Sequence, residues 1–306
     1  MRSSVIVFAM VCACAAVIGF AAPAPQDQDG DVRGAFLTSR PKDNKSSGSE
    51  TTARPSRRRP KPAGGTNASS STDKKPVKPD GGPGTSNKPA DPGKPVNLPR
   101  LGLGMTLFTR NSSGLAVRTD PDHVFHKGDR VRVLLETNSD GFLYIFNATN
   151  DGPVIMIYPD ADLDEAGNYV KAHIPWEIPS SAADQERLRW LVFDDTPGTE
   201  RLYFVFTREP LNGVPTEDEL INFCHAASGN CPVRPTAEVW DAIKKHMQEP
   251  LAMNKSGEYG PAQTVHEQQA PTRGISLAKD DPEPSLIMMA STKSAMLVAT
   301  LDLIHK

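Results

Sequence analysis

The chain has 306 residues, 38% of them hydrophobic and 6% aromatic, with 28 prolines and a formal net charge of −3. This length leaves room for one or two domains, but the first hundred residues lack the apolar content of a core. Residues 25–100 carry 15 basic and 8 acidic side chains, a surplus of seven, which with Arg2 leaves residues 101–306 at −11.

Residues 1–24, MRSSVIVFAMVCACAAVIGFAAPA, hold one basic residue, an unbroken apolar run from Val5 to Phe20, and a small-residue end. That is the pattern of a secretory signal peptide, with Gly19 and Ala21 placing cleavage after Ala21. The run is shorter than the ~20 residues a spanning helix needs, so an uncleaved anchor is the lesser reading. A lipid-modified Cys14 lacks a suitable approach sequence.

Residues 22–100 are dominated by Pro, Ser, Gly, Thr and Lys. Such a segment buries too little apolar surface to offset the entropy of ordering, and it reads as a disordered basic linker. Deleting residues 25–99 is accordingly expected to leave a folded domain. A basic linker on an acidic body suits peripheral contact with anionic envelope polymers or phospholipid, although a solvated spacer is the simpler reading. Nucleic acid is not expected as a partner, because the basic cluster Arg57 to Lys61 belongs to an exported chain.

From Leu101 the pattern changes to short apolar or alternating runs. MTLFTR (105–110), RVRVLLETN (130–138), FLYIFNA (142–148), VIMIYP (154–159), RLRWLVFD (187–194) and RLYFVFT (201–207) have the length and the β-branched and aromatic content of strands. Asp140-Gly141 and Asp151-Gly152 are expected at hairpin turns. Two short helices follow. Thr216 and Glu219 form a capping-box pattern before Leu220, Ile221 and Phe223. Thr236 caps a helix whose Val239, Trp240, Ile243 and Met247 share one face. Residues 249–283 lose periodicity, and SLIMMAS (285–291) and MLVATLDLIHK (296–306) read as closing strands. The fold class is mainly β, an antiparallel sandwich-like domain over 101–306 with two short helices.

The order of motifs resembles the bacterial family called domain of unknown function 4384. The residues that carry this are GDRVRVLLETNSDGFLYIFNATNDGPVIMIYP, then YVKAHIPWEIPSS, then WLVFDDTPGTERLYFVFTREPL, spanning roughly 101–211. The remainder, with CHAASGNCP, PTAEVW and LDLIHK, resembles the extension of an exported, envelope-associated subgroup. The resemblance implies a β-rich accessory module with no established activity, and so no catalytic residue is carried over.

The chemical candidates are few. YPDADLDEAGN (158–168) places acids at 160, 162, 164 and 165, but a helix-loop-helix calcium loop counted from Asp160 needs glycine where Glu165 stands and a bidentate acid where Lys171 stands. It reads as a turn. His123 and His126 lie three apart with no evident third metal ligand. Gly102-x-Gly104 lacks a third glycine and a following helix, so it is no phosphate loop. Cys12 and Cys14 leave with the signal, and Cys224 and Cys231 are expected to pair, which removes the thiolate that would make Cys224 with His225 reactive. No catalytic residue, metal ligand or cofactor is expected. The favoured reading is a non-catalytic exported module of the periplasm or cell envelope, binding an envelope protein or cell-wall polymer. The alternative is a metal-dependent hydrolase with dispersed Asp and His ligands.

Overall fold

In the run from Leu103 to Phe108, Leu103, Met105 and Leu107 alternate with Gly104, Thr106 and Phe108, so an extended chain sends the two sets to opposite faces. The computed structural model of the chain, which describes residues 28–42, 99–161, 167–226 and 231–306, uses both faces. Its elements are helix α1 (Gln28–Leu37), strands β1 (Gly102–Arg110), β2 (Ala116–Arg118), β3 (Val124–Phe125), β4 (Arg130–Thr137), β5 (Gly141–Thr149), β6 (Ile155–Tyr158), β7 (Tyr169–Val170) and β8 (Trp176–Ile178), and a 3-10 turn (Glu186–Leu188). Then come β9 (Leu191–Val192), β10 (Gly198–Thr207), helices α2 (Glu217–His225) and α3 (Ala237–Met247), β11 (Ala252–Lys255), α4 (Val265–Arg273), β12 (Leu286–Met289) and β13 (Met296–His305).

The strands form two sheets, mainly antiparallel. The first runs β11-β12-β1-β4-β8, with β2 beside β1 and β9 beside β4; the second runs β3-β13-β10-β5-β6, with β7 beside β5. Among the described residues only β3 and β13 pair in parallel. Between the sheets, Leu103, Met105, Leu107, Val133 and Leu135 face Leu143, Ile145, Phe204, Phe206 and Leu301, all in one buried cluster. This is the β-sandwich expected from the short alternating runs, and β13 does return the C-terminus to the domain, paired along β10.

The outer face of the second sheet is apolar too. Tyr144, Phe146, Tyr203 and Val205 are covered by Leu220 of α2 and by Val239, Trp240 and Ile243 of α3, while Met247 projects outward. Trp240 meets Tyr203 edge-on at 4.9 Å between ring centroids. A disulfide joins Cys224 to Cys231 with their α-carbons 5.0 Å apart, linking the end of α2 to the approach of α3.

Several expectations change. Among the described residues there are four helices where two were expected. Helix α1 lies inside the span expected to be a disordered linker, so that reading fails for residues 28–42. Its sequence QDGDVRGAFL is polar and contains two glycines, so it has almost no local helical drive; what orders it is the burial of Val32 and Phe36, one turn apart, against Ile287 and Met289. Deletion of residues 25–99 would therefore also remove a docked helix from the domain. Helix α4 lies in the stretch that lacked periodicity, and it carries the complete capping box, Thr264 with Glu267. At α2, Thr216 occupies the N-cap position but its side chain makes no capping bond. Asp140-Gly141 is not a hairpin turn, for it passes the chain from β4 in one sheet to β5 in the other. Glycine is needed there because a β-carbon would lie 2.4 Å from the Thr207 carbonyl oxygen. In the β5–β6 hairpin the left-handed residues are Asn150 and Asp151, one position earlier than expected. The run 187–194 yields only the 3-10 turn and the two-residue β9. The signal peptide (1–21), the linker residues 22–27 and 43–98, and Asp162, Asp164 and Glu165 lie outside the described residues.

Two predictions follow from this packing. Truncating a fully buried phenylalanine costs about 3 to 5 kcal/mol, so Phe36→Ala should undock α1. Hydrogen exchange is expected to show lost protection at the Thr38 amide, which bonds the Gly34 carbonyl, with the amides of β5 and β10 unchanged. The second concerns Tyr144, whose hydroxyl accepts a hydrogen bond from the Leu211 amide at 2.9 Å and whose burial raises its pKa above the ordinary phenol value. A raised folded pKa gives stability that is fully present below about pH 10 and is lost as pH rises through the folded value. Tyr144→Phe, which leaves Leu211 unpaired, should cost about 1 kcal/mol at neutral pH. Urea midpoints should show that gap constant up to about pH 10 and narrowing above it.

Candidate functional site

The chemistry concentrates on the outer face of the first sheet. Strand pairing sets Gly104 opposite Glu136, Thr106 opposite Leu134 and Phe108 opposite Arg132 on β1 and β4, while Glu177 of β8 lies opposite Leu134. Arg118 of β2 lies opposite Phe108. This face thus carries Glu136, Arg132, Glu177 and Arg118, each at most 7% exposed. Buried charges without partners would be unstable, and here each has one. Arg40 pairs with Glu136, Arg132 with Glu177 at 3.0 Å, and Arg118 with Glu267 from α4.

The Arg40 pair is the most completely built. Nε and Nη2 of Arg40 donate to the two oxygens of Glu136 at 2.8 and 2.5 Å. Nη1 donates to the carbonyls of Ala278 and Asp281, and Nη2 also reaches Pro282. All five N–H groups of the guanidinium thereby find acceptors. The loop that offers these carbonyls is itself braced, since the Asp281 carboxylate accepts from the Ala278 amide and meets His266 Nδ1, each at 2.7 Å.

Beside this pair, His173 Nδ1 lies 2.7 Å from Glu136 Oε1 and its Nε2 lies 2.9 Å from Ser39 Oγ. Serine, histidine and carboxylate in this order are the parts of an activated nucleophile. Two features oppose that chemistry. The Ser39 hydroxyl already has the Phe36 carbonyl 2.6 Å away as an acceptor, and Glu136 is gripped on both oxygens by Arg40. The group acts as a clamp on the end of α1. Phe36 completes it, lying edge-on to His173 at 5.8 Å over Gly102 and Gly104, where an added β-carbon would come within 2.9 and 3.1 Å of its ring. Those glycines, set aside as a phosphate loop, make room for Phe36.

At the other end of β4, Arg132 stacks on Trp190 with its guanidinium carbon 4.0 Å from the ring centroid, and its Nε donates to the Arg189 carbonyl. Burial draws the Arg132 pKa below the ordinary arginine value, and the Glu177 carboxylate opposes that shift. Glu177 also accepts from Gln263 Nε2 and the Ser181 amide. An open cleft of about 250 Å³ adjoins this cluster, lined by Arg110, Arg132, Arg189, Glu186 and Trp190 among others.

The residues singled out from sequence do not converge here. His123 packs edge-on against Phe125, and His126 sits exposed, 3.9 Å from Asp129. Cys224 is held in its disulfide away from this face. Among the described residues no three His, Cys, Asp or Glu side chains are grouped to hold a metal ion. The residues that do converge were missed, although Arg132 and Glu136 left a signal: two charges four apart, hence on one face, inside the apolar strand RVRVLLET.

Fold and site together define a β-sandwich domain whose outer sheet face holds a helical segment by burying an ion pair. Residues 124–210 match the family described as Domain of unknown function (DUF4384). No curated protein and no solved structure matches. The match contains Arg132, Glu136, His173 and Glu177, whereas the floor beneath Phe36, from β1 and β12, lies outside it.

Removing one partner of a buried pair costs about 3 to 5 kcal/mol because the other charge is stranded. Arg40→Ala should therefore weaken docking of α1 by roughly that amount, and by only about 1 kcal/mol when Glu136→Gln is already present. A double-mutant cycle followed by hydrogen exchange at the Thr38 amide checks this.

Proposed function

We propose that this protein is a non-catalytic, exported binding module of the cell envelope that recognises a helical segment of a partner protein. The observation that carries this reading is the docking of residues 28–42 on a domain from which residues 43–98 separate them in sequence. Recognition uses two apolar anchors one turn apart, Val32 and Phe36, followed by Arg40 in a buried acidic socket. This is the helix-in-groove mode with a charged lock. The resident segment keeps the groove filled, and a partner segment with the same pattern would compete with it. Both outer sheet faces are covered, the first by α1 and α4 and the second by α2 and α3, so a bare sheet face is not the binding surface. The signal-like residues 1–21 and the Cys224–Cys231 disulfide support an oxidising, exported location. The basic segment before the domain suits added contact with an anionic envelope surface.

A labelled peptide of residues 26–42 tests the reading when titrated into the full chain carrying Phe36→Ala, which vacates the groove. Saturable binding is expected, weakened at least tenfold by Arg40→Ala in the peptide. The unmodified chain should bind it far less well, because a covalently linked segment competes at an effective concentration on the order of millimolar. No binding to the vacated groove, or equal binding to both chains, would overturn the proposal.

A further inference from the structure

We propose that the cleft between β2, the 3-10 turn and the approach to α4 is a second binding site, and that it takes the free carboxyl end of a peptide with an apolar last side chain. This stands apart from the groove that holds α1. The first observation is charge. Arg110, Arg132 and Arg189 line the cleft; Glu186 faces Arg110 and Glu177 pairs with Arg132 from behind, which leaves Arg189 as a cation with no carboxylate partner among the described residues, in a domain whose residues 101–306 sum to −11. Local excess of cation against an acidic background selects for an anionic ligand.

The second observation is which donors are in use. Arg189 spends Nε on the Ala183 carbonyl at 2.7 Å, and Arg132 spends Nε and Nη1 on the Arg189 carbonyl and on Glu177. Among the described residues, no hydrogen bond is made by Nη2 of Arg132 or by either Nη of Arg189. Stacking on Trp190 at 4.0 Å holds the plane of the Arg132 guanidinium. A fixed planar donor beside a second guanidinium matches the two coplanar oxygens of a carboxylate. Glu186 shows what the lip accepts: its Oε1 sits 3.0 Å from Arg110 and 3.9 Å from Arg130, on a side chain 64% exposed and free to yield to an incoming carboxylate.

Size and surroundings narrow the ligand. About 250 Å³ has room for a terminal residue and its carboxyl group, below the range of about 300 to 1,000 Å³ usual for larger ligands such as nucleotides. Leu115 lines the same cleft and is 55% exposed, an apolar contact for the terminal side chain. A peptide carboxyl end has two sources in an envelope, the C-terminus of a protein and the stem peptide of the cell wall.

The test titrates the full chain with N-acetyl-L-alanyl-L-leucine, N-acetyl-D-alanyl-D-alanine, the C-terminal amide of each, and inorganic phosphate, following the amide resonances of Leu115 and Gln263. Saturable shifts with at least one free acid are expected, at least tenfold weaker binding for its amide, and at least tenfold weaker binding in Arg189→Ala, with partial recovery in Arg189→Lys. Arg110→Gln, at the lip, should weaken binding several-fold and guards against misfolding of the Arg189 variants. Tighter binding of the L-dipeptide assigns a protein C-terminus, and tighter binding of the D-dipeptide assigns a cell-wall stem peptide. The proposal is overturned if neither acid binds, if the amides or phosphate bind as tightly, or if folded Arg189→Ala and Arg110→Gln bind like the parent.

Discussion

Glu136 is a carboxylate in the middle of an apolar strand, 2% exposed, and the outer half of the first sheet is arranged around that fact. An ionised carboxylate cannot stay in such a place without a cation and further donors. Arg40 is the cation and His173 a further hydrogen-bonding partner, and each ties a different part of the chain to the sheet. Arg40 brings the N-terminal segment and the carbonyl-lined loop 278–282 together, and His173 anchors the connection between β7 and β8. Replacing such a pair with apolar side chains is often neutral for stability, so what the pair adds here is geometry: Arg40 must stand one turn beyond Phe36 to reach Glu136.

This bond also changes the meaning of the N-terminal hundred residues. With α1 docked, residues 42 and 99 both belong to the domain. A few kcal/mol decides whether so short a segment stays bound.

The three buried ion pairs lie along one sheet face, from Arg40–Glu136 through Arg118–Glu267 to Arg132–Glu177. Each joins the sheet to a neighbouring segment: α1, α4 and, through Ser181 and Arg189, the loop before β9. The second sheet covers its outer face by a different means, with rings from Tyr203, Phe146 and Trp240 and, among the described residues, no buried ion pair. One face is thus closed by apolar burial, which is insensitive to which apolar residue arrives, and the other by directional charge pairs, which are specific.

How much of this could be read from the sequence depends on the range of the interaction. The strands were legible because alternation of Leu103, Met105 and Leu107 with smaller or polar residues is a local pattern, and so was α3, whose Val239, Trp240 and Ile243 recur at helical spacing. The Cys224–Cys231 pairing was legible from the count of cysteines left after the signal. Helix α1 was not, because QDGDVRGAFL has no helical tendency of its own and acquires its structure from Ile287 and Met289, far along the chain. The passage of Asp140-Gly141 between sheets was hidden for the same reason, since a glycine suited to a hairpin is equally suited to a backbone passing close to Thr207. The sequence by itself determined the β class and the faces of the strands, both of which follow from periodicity and composition. Which sheet each strand joined, that residues 28–42 belong to the domain, and that Arg40, Glu136 and His173 meet were decided only by tertiary structure, because buried charge is stable only with a partner and nothing in local sequence says where that partner will be found.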